Sequence, residues 1–118
     1  MKILRTLTRV YTSDPETTIS FYEHLTGTKA GMRFSMPAIG LEIGSVGDVL
    51  IIAGTDEALR PFWSTIATFL VDSVDDYHRF LAENGGTILR PPQQVPTGIN
   101  MTVRHPDGSV IEYVEHRK

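Results

Sequence analysis

Ser13-Asp14-Pro15-Glu16-Thr17-Thr18-Ile19-Ser20-Phe21-Tyr22 carries the chain from a strand into a helix, and the reading of this junction decides the fold. Asp14 is a helix N-cap residue, because its short carboxylate can accept the orphan N–H groups of the first turn. Pro15 suits the first helical position, where its missing N–H costs nothing, and Glu16 lies near the positive end of the helix dipole. Ile19, Tyr22 and Leu25, with Phe21 beside them, form an apolar face at helical spacing, and Gly27 is a natural stop. Before the junction, Ile3 to Thr12 is β-rich and roughly alternating.

Past Gly27 the chain offers three short strands, Met32 to Met36, Ile39 to Ile43 and Val49 to Ala53. They are separated by Pro37, Gly40 and the turn Ser45-Val46-Gly47-Asp48. The same order then returns. Thr65 to Val71 is a strand, and Asp72-Ser73-Val74-Asp75-Asp76 starts a helix whose Val74, Tyr77, Phe80 and Leu81 share a face. Asn84-Gly85-Gly86 ends that helix. Thr87 to Leu89, a break at Arg90-Pro91-Pro92, Ile99 to Arg104 and Ser109 to Glu115 follow. A shift of 59 places Asp14 on Ser73, Phe21 on Phe80 and Gly27-Thr28 on Gly86-Thr87. A shift of 61 places Gly47 on Gly108 and Ile51 on Glu112. A duplicated strand-helix-strand-strand-strand unit is therefore expected, as an α+β domain spanning 1–118 with modules of about 1–59 and 60–118.

The 118 residues suffice for one such domain with its own core. A hydrophobic fraction of 41% and a formal charge of −3 are ordinary for a globular chain and give no electrostatic footprint for nucleic acid. The absence of cysteine removes disulfides, thiolate metal sites and cysteine nucleophiles. Arginines interrupt the first nine residues, and no apolar run approaches a membrane span, so no signal peptide, no membrane partner and a cytoplasmic setting are expected.

Three stretches together resemble a known family. Ser13 to Tyr22 is similar to the first strand-to-helix junction of the vicinal-oxygen-chelate superfamily, which includes glyoxalases, bleomycin-resistance proteins and extradiol dioxygenases. Phe69-Leu70-Val71-Asp72-Ser73-Val74-Asp75 is similar to its second junction, and His105-Pro106-Asp107-Gly108-Ser109-Val110-Ile111-Glu112 to its closing hairpin. The resemblance implies two βαβββ modules whose mixed sheet forms a cup around a ligand cavity, with helices on the convex face and frequent homodimers. Strand alternation supplies the sidedness independently. Thr8, Val10 and Thr12 should face the first helix while Leu7, Arg9 and Tyr11 face away. Ala67, Phe69 and Val71 should pack on the second helix, leaving Ile66, Thr68 and Leu70 on the other side.

Metal-dependent relatives use up to four ligands, one from the first and one from the last strand of each module. Carried onto this chain, those positions are Leu7, Ile51, Ile66 and Glu112, and only Glu112 has a donor atom. Aligning Arg9-Val10 with an Arg-Val pair of glyoxalases puts Arg5 at the first position instead, and a guanidinium would repel the ion. Glu112 and His116 are four strand residues apart, roughly 13 Å, whereas two ligands of one ion sit within roughly 4 Å of each other. His105 lies across the Pro106-Asp107-Gly108 turn, within about 7 to 8 Å if the register is favourable. A divalent metal on Glu112 and His105 is thus the alternative to the expectation of no metal and no cofactor. His24 and His78 read as helix-surface residues.

The sequence leads to a small-molecule-binding protein resembling the bleomycin-resistance branch. Leu7, Tyr11, Phe34, Ile51, Trp63, Ile66 and Met101, with Met32 and Met36, would line the cavity, and Arg9 and Glu112 would be its polar anchors. Among apolar neighbours, Glu112 should be hydrated, protonated, or paired with Arg9 or Arg104. The competing expectation is a glyoxalase-like or dioxygenase-like lyase or isomerase, in which Glu112 works as general acid or base with or without a divalent metal, and Tyr11 or Arg9 stabilises developing charge.

Overall fold

The computed structural model describes residues Met1 to Arg117. Eight strands and three helices follow in the order β1 (Ile3–Thr12), α1 (Pro15–Thr26), β2 (Arg33–Met36), β3 (Leu41–Val46), β4 (Val49–Ala53), α2 (Asp56–Leu59), β5 (Thr65–Val71), α3 (Val74–Glu83), β6 (Thr87–Val95), β7 (Gly98–Arg104) and β8 (Val110–His116). The chain order is thus βαβββ twice, with α2 between the repeats. Compact units divide at Leu7/Thr8 and Ser64/Thr65 rather than near residue 59, because β1 is long enough to serve both: Ile3 to Leu7 belongs with Thr65 onward.

In the unit Thr8 to Ser64 the strands lie in the order β2-β3-β4-β1, antiparallel except for the parallel β4–β1 pair. A parallel return needs a crossover, which α1 and the strands after it supply. Asp14 caps α1 as expected, its carboxylate accepting from the N–H and hydroxyl of Thr17. The helix packs Ile19 against Val46 and Ile51, with Val10, Tyr22 and Val49 around them. Gly44 makes this fit, since a Cβ there would lie 3.1 Å from Ile19 Cδ1. Phe21 and Leu25 do not join this face; Leu25 is 65% exposed. Arg33 ties β2 to the helix through Glu16 and to β3 through Glu42.

In the other unit the order is β1-β5-β8-β7-β6, with β5 and β8 parallel and the β8-β7-β6 neighbours antiparallel. The buried cluster of Val71, Val74, Tyr77, Leu81, Met101, Val103, Ile111 and Tyr113 packs α3 onto this sheet. Two side chains satisfy the first turn of α3: Ser73 Oγ accepts from the Asp76 N–H, and Glu115 accepts from the Val74 N–H at 2.9 Å. Phe80 stands outside the buried stripe and is exposed. The expected break at Pro91-Pro92 does not occur. β6 runs through both prolines with register irregularities, because an edge strand can do without their N–H groups. α2, unmarked in the sequence reading, is capped by Thr55, whose hydroxyl accepts from the Ala58 N–H.

Candidate functional site

Each sheet has one face under its helix and one face opposite, and strand register decides which side chains reach the second. In the unit Thr65 onward, Thr68 is the partner of Glu112, Glu112 of Thr102, and Thr102 of Arg90. Register partners share a face, so these four residues form one polar row across β5, β8, β7 and β6. The Thr68 hydroxyl, itself buried, donates to Glu112 Oε1 at 3.1 Å. In the next row Asn100 accepts from Gln93 Nε2 at 3.1 Å. Ile66, beside a bulge between Thr65 and Ala67, is 55% exposed and lies outside the helix core, whereas Leu7 is buried.

Two expected lining residues lie elsewhere. Met101 pairs with Tyr113 and is 0% exposed beneath α3, and Ile51 pairs with Val10 and is 1% exposed beneath α1. The error for Ile51 is one residue of register. Arg9 pairs with Leu50 and Thr68 with Glu112, so at the shift of 59 that relates Arg9 to Thr68, Leu50 is the counterpart of Glu112. The last strands therefore differ by 62 rather than 61. A one-residue slip moves a side chain to the other face. For Met101 residue type alone points to the cavity, and its face is decided by pairing with Tyr113, which packs beneath α3.

In the unit Thr8 to Ser64 the face away from α1 carries Arg9, Tyr11, Leu50 and Ile52 from β1 and β4, with Ile43 and Phe34 continuing the Tyr11–Ile52 row. Arg9 donates to Tyr11 Oη at 3.1 Å, and Tyr11 donates to the Phe62 carbonyl. This chain of bonds fixes the segment after α2, where Trp63 is exposed and carries the Arg60 guanidinium 5.8 Å from its ring centroid.

The metal alternative fails on sidedness. His105 joins the α3 side of its sheet, in ring contact with Phe69 and Tyr113 and hydrogen-bonded through Nε2 to Tyr113 Oη at 2.7 Å. Glu112 points to the other face, so the two cannot converge on one ion. With the register corrected, the four positions inherited from metal-dependent relatives are Leu7, Leu50, Ile66 and Glu112, three of them without a donor atom. Those residues do not fit a metal. Among the described residues no group of three or more His, Asp or Glu converges elsewhere.

The same aromatic cluster makes a prediction. Burial pushes the Tyr113 hydroxyl up to about 12, with the neighbouring Tyr77 adding to the effect. Tyr77 is raised too, by burial first and then by Asp72. A phenol whose folded value lies above its ordinary 10.0 contributes stability that is complete below pH 10.0 and is lost as pH rises toward about 12. Stability measured by urea unfolding should therefore fall across this window, and Tyr113→Phe should flatten the fall. An unchanged alkaline slope in the variant would contradict the assignment.

The chain matches a family model described as Glyoxalase/Bleomycin resistance protein/Dioxygenase superfamily over residues 2–113. No curated protein matches it. Among solved structures it is similar to an uncharacterized protein from Methanosarcina mazei, at 56% identity and a TM-score of 0.93, covering 100% of this chain and 96% of that one. It shares its fold with methylmalonyl-CoA epimerase from Mycobacterium tuberculosis, at 13% identity and a TM-score of 0.76, covering 98% and 90% of the two chains. A Streptomyces coelicolor methylmalonyl-CoA epimerase in complex with 2-nitronate-propionyl-CoA gives 15% identity and a TM-score of 0.76, covering 99% and 100%. With the duplicated βαβββ order, the helix-backed mixed sheet and a family match over nearly the whole chain, this protein belongs to the Glyoxalase/Bleomycin resistance protein/Dioxygenase superfamily.

Proposed function

We propose that the protein binds a small organic molecule on the open sheet face of its Thr65-onward unit, in the manner of bleomycin-resistance proteins, with Glu112 as anchoring acceptor and no cofactor. The observation that carries this reading is the Thr68–Glu112 pair. A buried hydroxyl on a rigid strand sets the carboxylate's orientation, so a ligand amine, amide or hydroxyl meets an acceptor already ordered. Ile66 on the same face offers apolar contact, and Thr102 and Arg90 extend the polar row toward the sheet edge. Taken by itself, the corresponding face of the other unit carries the exposed Phe34 and the half-buried Tyr11, while Ile52 and Ile43 of the same row are buried.

Thermal melting against aromatic and amphipathic amines, carboxylates and propionyl-CoA tests the reading. A ligand at about 100 times its Kd stabilises by about 2.7 kcal/mol. Glu112→Gln should weaken that ligand about tenfold or more, the worth of a hydrogen bond to a charged group. Failure of every compound to raise the melting temperature, or equal binding by Glu112→Gln, would count against it.

A second reading makes the domain an isomerase or lyase with Glu112 as the proton-transferring group. Its support is the open-face position of this carboxylate on a fold shared with methylmalonyl-CoA epimerases. Transfer of the α-hydrogen of methylmalonyl-CoA to deuterated solvent, abolished by Glu112→Gln, would establish it in place of simple binding.

A further inference from the structure

We propose that Asn84 is a site of spontaneous covalent modification, deamidation through a succinimide closed by the backbone nitrogen of Gly85. α3 ends at Glu83, and Asn84 and Gly85 follow as exposed residues. Gly85 has φ +86° and no side chain of its own to cover its nitrogen; Pro106 lies on its Cα side, with Cγ 3.3 Å from where a Cβ would stand. The N–H groups on either side are engaged, Asn84 and Gly86 both donating to the Leu81 carbonyl at 3.2 and 2.8 Å. Among the described residues the Gly85 N–H donates to no protein acceptor. The Asn84 side chain is tethered by Nδ2 to the Phe80 carbonyl at 2.7 Å. Its ψ of 31° must turn before the Gly85 nitrogen reaches Cγ. A helix end followed by two glycines supplies that turn by fraying, at low cost in free energy.

In the reaction the Gly85 nitrogen gives up its proton and bonds to Asn84 Cγ, the Cγ–Nδ2 bond breaks, and Nδ2 leaves as ammonia. Water then opens the ring at either carbonyl, giving aspartate or isoaspartate. The net change is one water consumed and one ammonia released, with no redox partner.

Two other positions show why the structure selects this one. Asp107-Gly108 has the same sequence logic, but the Gly108 N–H donates to the His105 carbonyl at 2.9 Å, and both Asp107 oxygens accept from Ser109. Those bonds from Ser109 hold the Asp107 carboxyl below its ordinary value, and an ionised carboxylate is a poor electrophile. Asn100 lies inside β7 between two paired strands, with a bulky Met101 after it. Neither can form the ring without breaking a ladder or a turn.

The folded protein, held at mildly alkaline pH and sampled over days, should gain aspartate and isoaspartate at Asn84, located by tandem mass spectrometry. The expected rate is at least about tenfold above that at Asn100 or of isomerisation at Asp107, as protection by a stable ladder or turn requires. Conversion at Asn100 as fast as at Asn84, or an intact Asn84 while the urea-unfolded chain converts, would overturn the proposal. The product adds a negative charge at the negative end of α3 and loses the bond to Phe80, so Asn84→Asp should lower the melting temperature by a few degrees. A melting temperature equal to or above that of the parent would refute this consequence.

Discussion

Gly98→Ala should lower the melting temperature by about 10 °C or more, the counterpart of about 3 kcal/mol or more in a domain of this size. A Cβ at residue 98 would lie 1.9 Å from the Glu115 carbonyl oxygen and 3.0 Å from His116 Cα, both backbone atoms of the paired strand β8. The φ of +151° adds backbone strain for any L side chain. Relief by moving β8 is also costly. Glu115 is held from its other end, because its carboxylate accepts the Val74 N–H at the start of α3, and the Arg117 N–H donates to the Thr97 carbonyl across the same hairpin. Peeling the last strand would uncap a helix as well as open a ladder. A variant melting within about 2 °C of the parent would show that β8 yields more easily than these bonds imply.

Met101→Ala should cost about 3 kcal/mol, and Ile51→Ala a similar amount, through lost burial and the cavity left behind. Both side chains are nearly or fully buried, each beneath the helix of its own unit. The cavities cannot collapse freely, because each is bounded by a hydrogen-bonded sheet on one side and a capped helix on the other. Ile66→Ala, at a position 55% exposed on the opposite face, should change stability by no more than about 0.5 kcal/mol. Urea unfolding midpoints for the three variants measure this contrast. Equal small losses for all three would return Met101 and Ile51 to an open face, against the register that places them.

Local chemistry made the architecture legible. Asp14, Pro15 and Gly27 bound the first helix where their conformational preferences require, and Ser73 begins the second, so the duplicated βαβββ order could be read from two junctions. Alternation assigned β1 and β5 correctly: Val10 packs beneath α1 and Ala67 and Phe69 beneath α3, with Arg9, Tyr11 and Thr68 opposite. The apolar stripes of both helices are wider than the faces they bury. Phe21, Leu25 and Phe80 have helical spacing with the core residues, yet the buried arc on each helix is narrower than the apolar one.

The open-face row was only partly legible. Glu112 stood out by residue type, but its hydrogen-bond partner Thr68 and its neighbours Thr102 and Arg90 follow from strand pairing, which links residues 44, 10 and 22 positions away from Glu112. No local signal encodes such distances, and a slip of one residue in the turn Val46 to Val49 was enough to exchange Leu50 for Ile51.

The sequence by itself determined the order of strands and main helix within each repeat, the ends of α1 and α3 and the alternation of the first strand of each repeat, because caps, turns and the period of two are properties of neighbouring residues. The tertiary structure alone decided which face each remaining strand residue occupies, and with it that His105 belongs to an aromatic core while Glu112 stands on the opposite side. That division is physical: register is fixed by pairing between distant strands and by burial beneath the helices, and one residue of slip inverts every side chain.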